Sequence, residues 1–166
     1  MIGASGVGKT SGVRCLEARA RSGVKCLYFD SIGVPSHEAM KLDFGSGEGW
    51  QAAATKTWIS RIVCEAACGA TFVLEGQTRP SFVMAAIAYS LRVRIVLLEC
   101  SSSERVKRLD ERGQSHLVTL EMDMWADYLR GQADVFQLTV VDTTDRTPDD
   151  VADLLEREIE TVRATL

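Results

Sequence analysis

The sequence predicts an α/β protein of three layers, a mostly parallel sheet of about five strands with helices on both faces and its first strand truncated. Two observations carry this. Short apolar runs alternate along the chain with longer stretches of helical apolar spacing, the pattern of strand–helix–strand units. Three of the runs also close in an acid, at Asp30, Glu75 and Asp142. In sheets of this kind ligands sit beyond the carboxyl ends of the strands, so these acids are candidates for one rim.

The elements follow in order. Only Met1 and Ile2 precede Gly3, so the first strand is either stunted or continued by residues upstream of a start that lies inside the natural one. Val13, Leu16 and Ala20 mark a helix over 9–21 that stops at Ser22-Gly23. Lys25–Asp30 reads as a buried strand. Ser31–Gly49 is rich in Gly, Ser and Pro and reads mostly as loop, with a short helical turn at Ser36–Lys41. From Trp50, the residues Ala54, Trp58, Ile59, Ile62, Val63 and Ala66 stripe an amphipathic helix ending at Gly69. Thr71–Glu75 is the next strand. Pro80 suits a first helical turn, and Phe82–Leu91 is apolar nearly all round, which predicts a well-buried helix. Val93–Leu98 is a strand, and Ser102 or Ser103 caps a basic helix ending at Gly113. Gly113–Glu121 is a short polar loop. Met122, Trp125, Ala126, Leu129 and Ala133 stripe a further helix, with Trp125 and Tyr128 read as core. Leu138–Asp142 is the last strand, and the capping sequence Thr147–Asp150 opens a closing helix along Val151, Leu154, Leu155, Ile159 and Val162.

The most informative stretch is Gly3-Ala4-Ser5-Gly6-Val7-Gly8-Lys9-Thr10, which fits G-x-x-x-x-G-K-[ST]. Glycines let the backbone curl so that successive N–H groups converge on phosphate oxygens. Lys9 sets a cation against the β- and γ-phosphates, and the Thr10 hydroxyl is a hard oxygen ligand for Mg²⁺. The helix that follows adds the positive end of its dipole, and Ser11 joins the phosphate-binding stretch. The pattern points to a nucleoside triphosphate, ATP, bound with Mg²⁺.

Composition bounds the alternatives. The 166 residues amount to one domain's worth of chain, 1–166, and the hydrophobic 46% and charged 25% are ordinary for a globular protein. A net charge of −4 argues against coating nucleic acid, which needs a basic face. No run approaches the roughly 18 apolar residues of a membrane span, and no basic-then-apolar leader opens the chain, so the expectation is a cytoplasmic protein without membrane contact. Cys15, Cys26, Cys64, Cys68 and Cys100 read as reduced thiols packed as small hydrophobes. Cys64 and Cys68 could share a helical face and bind metal, but no second ligand pair has suitable spacing.

Taken in order, GASGVGKT, the acid of YFD30, the run EGQTRP (Glu75–Pro80) and RVKRLDERG (Arg105–Gly113) resemble the adenylate-kinase-like proteins, a group that includes nucleoside monophosphate, shikimate and gluconate kinases. The resemblance implies a three-layer P-loop NTPase fold, an acceptor-binding region over about 31–68 and a short lid at about 113–121. It implies that Gly3 to Ser11 hold ATP phosphates and that Lys9 neutralises charge in transfer. Glu75 stands where the group has an acid that fixes Mg²⁺ through water, with Thr10 as the other metal-side residue. Arg79 stands near the acceptor-phosphate arginine, although the proline that precedes it in the group is missing; a surface arginine is the alternative. Asp30 would orient or deprotonate an acceptor hydroxyl, or else cap the loop Asp-Ser-Ile-Gly. On the basic helix, Arg112 would stabilise the migrating phosphoryl group and Arg105 would pack on adenine, unless that face is merely solvated. Asp142-Thr143-Thr144 with Pro148 lies where the group closes over adenine.

The lid carries His116 and no arginine, a departure that puts a nucleotide acceptor in doubt. The expectation is therefore a small ATP-dependent kinase, monomeric or homodimeric, acting on a diffusible small-molecule acceptor. Two rivals stay open. One is a nucleotide-dependent regulatory ATPase, with Gln77 as the residue that could position a water. The other is an ATP-binding protein with degenerate catalysis.

Overall fold

In the computed structural model, which describes residues 1–66, 69–87 and 92–164, the chain is an α/β protein. Its described strands are β1 (Val24–Tyr28), β2 (Thr71–Glu75), β3 (Val96–Glu99) and β4 (Thr139–Asp142). They form two separate two-stranded parallel sheets, β1 with β2 and β3 with β4. The register runs from Val24 opposite Thr71 to Tyr28 opposite Glu75, and from Val96 opposite Thr139 to Glu99 opposite Asp142.

The expected five-stranded sheet of a P-loop NTPase fold is thus not formed among the described residues. Where its first strand belongs, Ile2 makes single parallel bridges to Gly76 on one side and Leu97 on the other. The Ile2 amide donates to Val96 at 2.9 Å, and the Leu98 amide donates to Ile2 at 2.9 Å. The reason is local. At Gly3 (φ 156°) the backbone runs close against Leu98, where a Cβ would stand 2.5 Å from the carbonyl oxygen. From Ser5 the chain turns into the loop, so the ladder does not continue beyond Ile2.

Helices cover both faces of the strands because alternate strand residues point to opposite cores. On one face, Val13 and Leu16 of α1 (Lys9–Ala18) and Val151, Ala152, Leu155 and Ile159 of α7 (Pro148–Ala164) pack with Val73, Val96 and Leu98. On the other, Leu97 and Ile2 meet Ile59 of α3 (Gly47–Ala66), Val83 of α4 (Pro80–Ala86) and Leu129 and Ala133 of α6 (Leu120–Val135). A third cluster joins Phe29 to Trp50, Ala54 and Trp58 of α3.

Several boundaries differ from expectation. Residues 31–49 are not mostly loop: α2 (His37–Phe44) is capped by Ser36, which accepts from the Ala39 amide, and ended by Gly45 at φ 78°. Not one residue of α2 is buried, so apolar periodicity had nothing to report there and the cap and stop decide it. Asp30 lies in a 3-10 turn over Phe29–Ile32 rather than in the strand. Helix α4 gives way to extended backbone at Ile87, and its Met84 is half exposed, so it is not the buried helix expected; 88–91 lie outside the described residues. The cap of α5 (Ser102–Glu111) is Ser101, one residue earlier than either serine proposed. The 113–121 stretch contains a 3-10 turn at Ser115–Leu117, and Thr119 caps α6 two residues before Glu121. Of the two aromatics read as core, Trp125 is part-buried and packs against both main clusters, whereas Tyr128 is exposed, and the rings stack on each other at 5.4 Å.

Candidate functional site

The Gly3–Thr10 loop runs from the Ile2 bridges into α1. Gly6 (φ 85°) and Gly8 (φ 90°) adopt the left-handed backbone that glycine alone tolerates without strain. A Cβ on Gly6 would stand 2.7 Å from the Arg105 Cγ, so its bare backbone also makes room for α5. Ala4 and Val7 are buried and hold the loop down. The fully buried Thr143 pins it from the far side, its hydroxyl lying 2.9 Å from the Val7 carbonyl and 3.0 Å from that of Glu99.

None of the backbone amides from Ala4 to Ser11 finds an acceptor among the described residues. Backbone donors are seldom left unpaired inside a fold, and here they lie on a curl at the positive end of α1. Lys9 is buried beside them, its ammonium donating to the Ala4 carbonyl at 2.8 Å. Burial lowers its pKa to about 8, against the opposing pull of Glu75 and Asp30 and with a smaller push from Arg112. The Met1 ammonium, donating to the Leu74 carbonyl at 2.8 Å, is likewise pushed down to about 6 by burial.

Thr10 and Glu75, 65 positions apart in the chain, meet here: the Thr10 hydroxyl donates to the Glu75 carboxylate at 3.0 Å. Glu75 is buried at the tip of β2. A hydroxyl and a carboxylate are two hard oxygen donors, which suits Mg²⁺, an ion that takes few protein ligands and completes its shell with water and phosphate oxygens. Among the described residues, no three His, Cys, Asp or Glu side chains group to hold a metal on their own. The Cys64–Cys68 pairing falls on Cys68, outside the described residues.

The remaining residues divide. Arg112 reaches the loop's end, its guanidinium donating to the Ser11 hydroxyl at 3.1 Å. Asp30 is exposed and makes no hydrogen bond or ion pair with a loop side chain among the described residues, yet its charge is felt at Lys9. Arg105 points elsewhere: it is buried against Asp123 and Ser102. There it lines, with Ala4, Val7 and Arg130, a cavity of about 320 Å³ between β3, α5 and α6. Arg79 sits at the N-cap of α4, donating to Gln51 at 2.6 Å and pairing with Glu48 at 3.2 Å. Its guanidinium also lies over the rings of Phe82, Trp125 and Tyr128, at 5.4, 5.1 and 5.5 Å. Asp142 accepts from the amide and hydroxyl of Thr144, a local turn that holds its pKa down. His116 is exposed.

Sequence reasoning gave no role to Arg108 or Gln51, and it singled out Gln77 only as a residue that could position a water. Arg108 donates to the Thr143 carbonyl at 2.6 Å and that of Thr144 at 3.3 Å, fastening the turn that pins the loop. Gln77 donates to the Ser5 hydroxyl at 2.9 Å, and Gln51 to the Gln77 carbonyl at 2.7 Å. The i, i+4 spacing of Arg108 with Glu104 was the only local signal for the first. No protein-family model matches the chain, and no curated protein does either. Among the described residues, no helix is long and apolar enough to cross a membrane.

Proposed function

We propose that the chain is an ATP-dependent phosphotransferase that moves the γ-phosphoryl group of Mg-ATP to a small-molecule acceptor at the Gly3–Thr10 loop. The observation that carries this reading is the meeting of Thr10 with Glu75 at 3.0 Å, at the end of a loop whose amides have no acceptor among the described residues. The reading rests on that loop and its neighbours, not on a complete sheet.

In it, the free amides and the α1 dipole bind phosphate oxygens, and Lys9 exchanges the Ala4 carbonyl for them. Thr10 and Glu75 hold Mg²⁺, which supplies charge neutralisation for the phosphates when bound. Arg112, already at Ser11, is placed to meet developing charge on the transferred group. Phosphoryl transfer asks for positioning and electrostatics rather than covalent chemistry, so this set suffices. Arg79 would meet an anionic acceptor in exchange for Glu48, and Asp30 would orient its hydroxyl. Arg105, paired with Asp123, contributes packing beneath the loop instead of an adenine platform.

A second reading has one contact in its favour. Gln77 reaches Ser5 and could orient a water for hydrolysis without an acceptor. The test is ADP formation from Mg-ATP across nucleoside monophosphates, nucleosides, sugar acids, shikimate and aminoglycosides, with a no-acceptor control. Stimulation by one class is the expected result. A flat, acceptor-independent rate would favour the hydrolytic reading, and binding without turnover would leave an ATP-binding protein with degenerate catalysis.

A further inference from the structure

Three polar contacts run without a break from the Arg79 cluster to the loop. Arg79 donates to the Gln51 side-chain oxygen at 2.6 Å, the Gln51 side-chain nitrogen donates to the Gln77 carbonyl at 2.7 Å, and the Gln77 side-chain nitrogen donates to the Ser5 hydroxyl at 2.9 Å. Both ends of the Gln51 amide are therefore used, one toward each side. The segment that carries the relay is braced: buried Thr55, one turn along α3 from Gln51, shares a 2.6 Å hydroxyl contact with buried Thr78, between Gln77 and Arg79. Thr55 also donates to the Gln51 carbonyl at 2.7 Å.

The outer end of this relay is open to exchange, because Arg79 holds the exposed carboxylate of Glu48 while its guanidinium is packed on three rings. The inner end is a loop residue among amides that have no acceptor among the described residues.

We propose that Gln51 is a positioning residue that couples the Arg79 cluster to the Gly3–Thr10 loop, so that what occupies Arg79 sets how well the loop holds phosphate. The inference rests on the nucleotide reading of the loop. Its physical basis is that an amide hydrogen-bonded at both ends transmits orientation, while a carboxylate in the same place keeps only the acceptor end.

The experiment uses the full chain and Mg²⁺ with the non-hydrolysable β,γ-imido analogue of ATP, measured by calorimetry. Gln51→Glu still accepts from Arg79 but cannot donate to the Gln77 carbonyl. It should weaken nucleotide binding about fivefold, the worth of one neutral hydrogen bond. Gln51→Leu and Arg79→Met should each weaken it similarly, and the Arg79→Met/Gln51→Leu double variant no further, because the changes interrupt one chain. A spectroscopic readout separates this from loosened packing: nucleotide should alter the emission of Trp125, assigned with Trp125→Phe, in the wild type and not in Gln51→Glu.

Binding by Gln51→Glu within twofold of wild type overturns the inference, as do additive losses in the double variant or an equal Trp125 response, present or absent, in both proteins. A wild-type chain that binds no nucleotide overturns the proposed function itself, and the inference with it.

Discussion

Lys9 concentrates the chemistry of the site in one ionisable group. Its charged form is disfavoured in the folded chain, where the pKa is about 8 against an ordinary 10.5. Between those values the folded state binds fewer protons than the unfolded one, so stability of the nucleotide-free protein should rise as pH increases from about 8 to 10.5. Urea midpoints across that range check this, and Lys9→Met should flatten the rise. Nucleotide affinity should run the other way, falling as pH passes about 8 and the ammonium loses its proton. A flat affinity profile in the wild type would remove Lys9 from phosphate binding. At neutral pH, Lys9→Ala should abolish turnover while the far-UV circular dichroism stays unchanged, and activity above about a tenth of wild type would sink the proposed mechanism. At this scale much was legible. G-x-x-x-x-G-K-[ST] is a spacing whose geometry is local, so the glycine conformations at Gly6 and Gly8 came with it. The three-ring setting of Arg79 was not legible, because Phe82, Trp125 and Tyr128 reach it from two helices.

Among the elements, α1 depends on how closely it approaches α7. Gly12 lies against that helix, and a Cβ there would stand 2.3 Å from the Val151 Cγ1 and 2.9 Å from its Cβ. Gly12→Val should therefore destabilise the protein by about 1–3 kcal/mol through overpacking. Val151→Ala in the same chain should recover part of the loss, and urea titration of the single and double variants measures both. If Gly12→Val is neutral, α1 and α7 are not packed as described. Sequence periodicity located α1, α3, α6 and α7, each of which buries an apolar stripe. It failed at α2, which has no fully buried residue and whose signals are a serine cap and a terminal glycine. It overextended α4, where an apolar composition does not by itself specify burial: Met84 stays half exposed.

For the whole molecule, a critical residue is Ile2, which bridges to Gly76 at the exit of β2 and to Leu97 of β3, while its neighbour Met1 bonds to Leu74 and Gly76. It is buried with Leu97, Ile59 and Leu129, so Ile2→Ala should cost about 2–5 kcal/mol in chemical unfolding. Its effect should spread across both sheets. The Leu98 amide, which donates to Ile2, should lose hydrogen-exchange protection before amides bonded within the β3–β4 pair do. Equal protection loss throughout would show that the bridge is not a separate weak point. The sequence by itself determined the α/β alternation, the loop and its glycines, and most helix faces, because each is written in neighbouring residues through periodicity, caps and permitted backbone angles. Only the tertiary structure decided that the described strands form two pairs, linked through Met1 and Ile2, instead of a continuous sheet. It also decided that Thr10 faces Glu75, that Arg105 turns to Asp123 while Arg112 reaches Ser11, and that Gln51 and Gln77 link Arg79 to Ser5. Those outcomes depend on contacts between residues far apart in the chain, whose geometry is set by how the helices settle on the strands, and no local pattern records it.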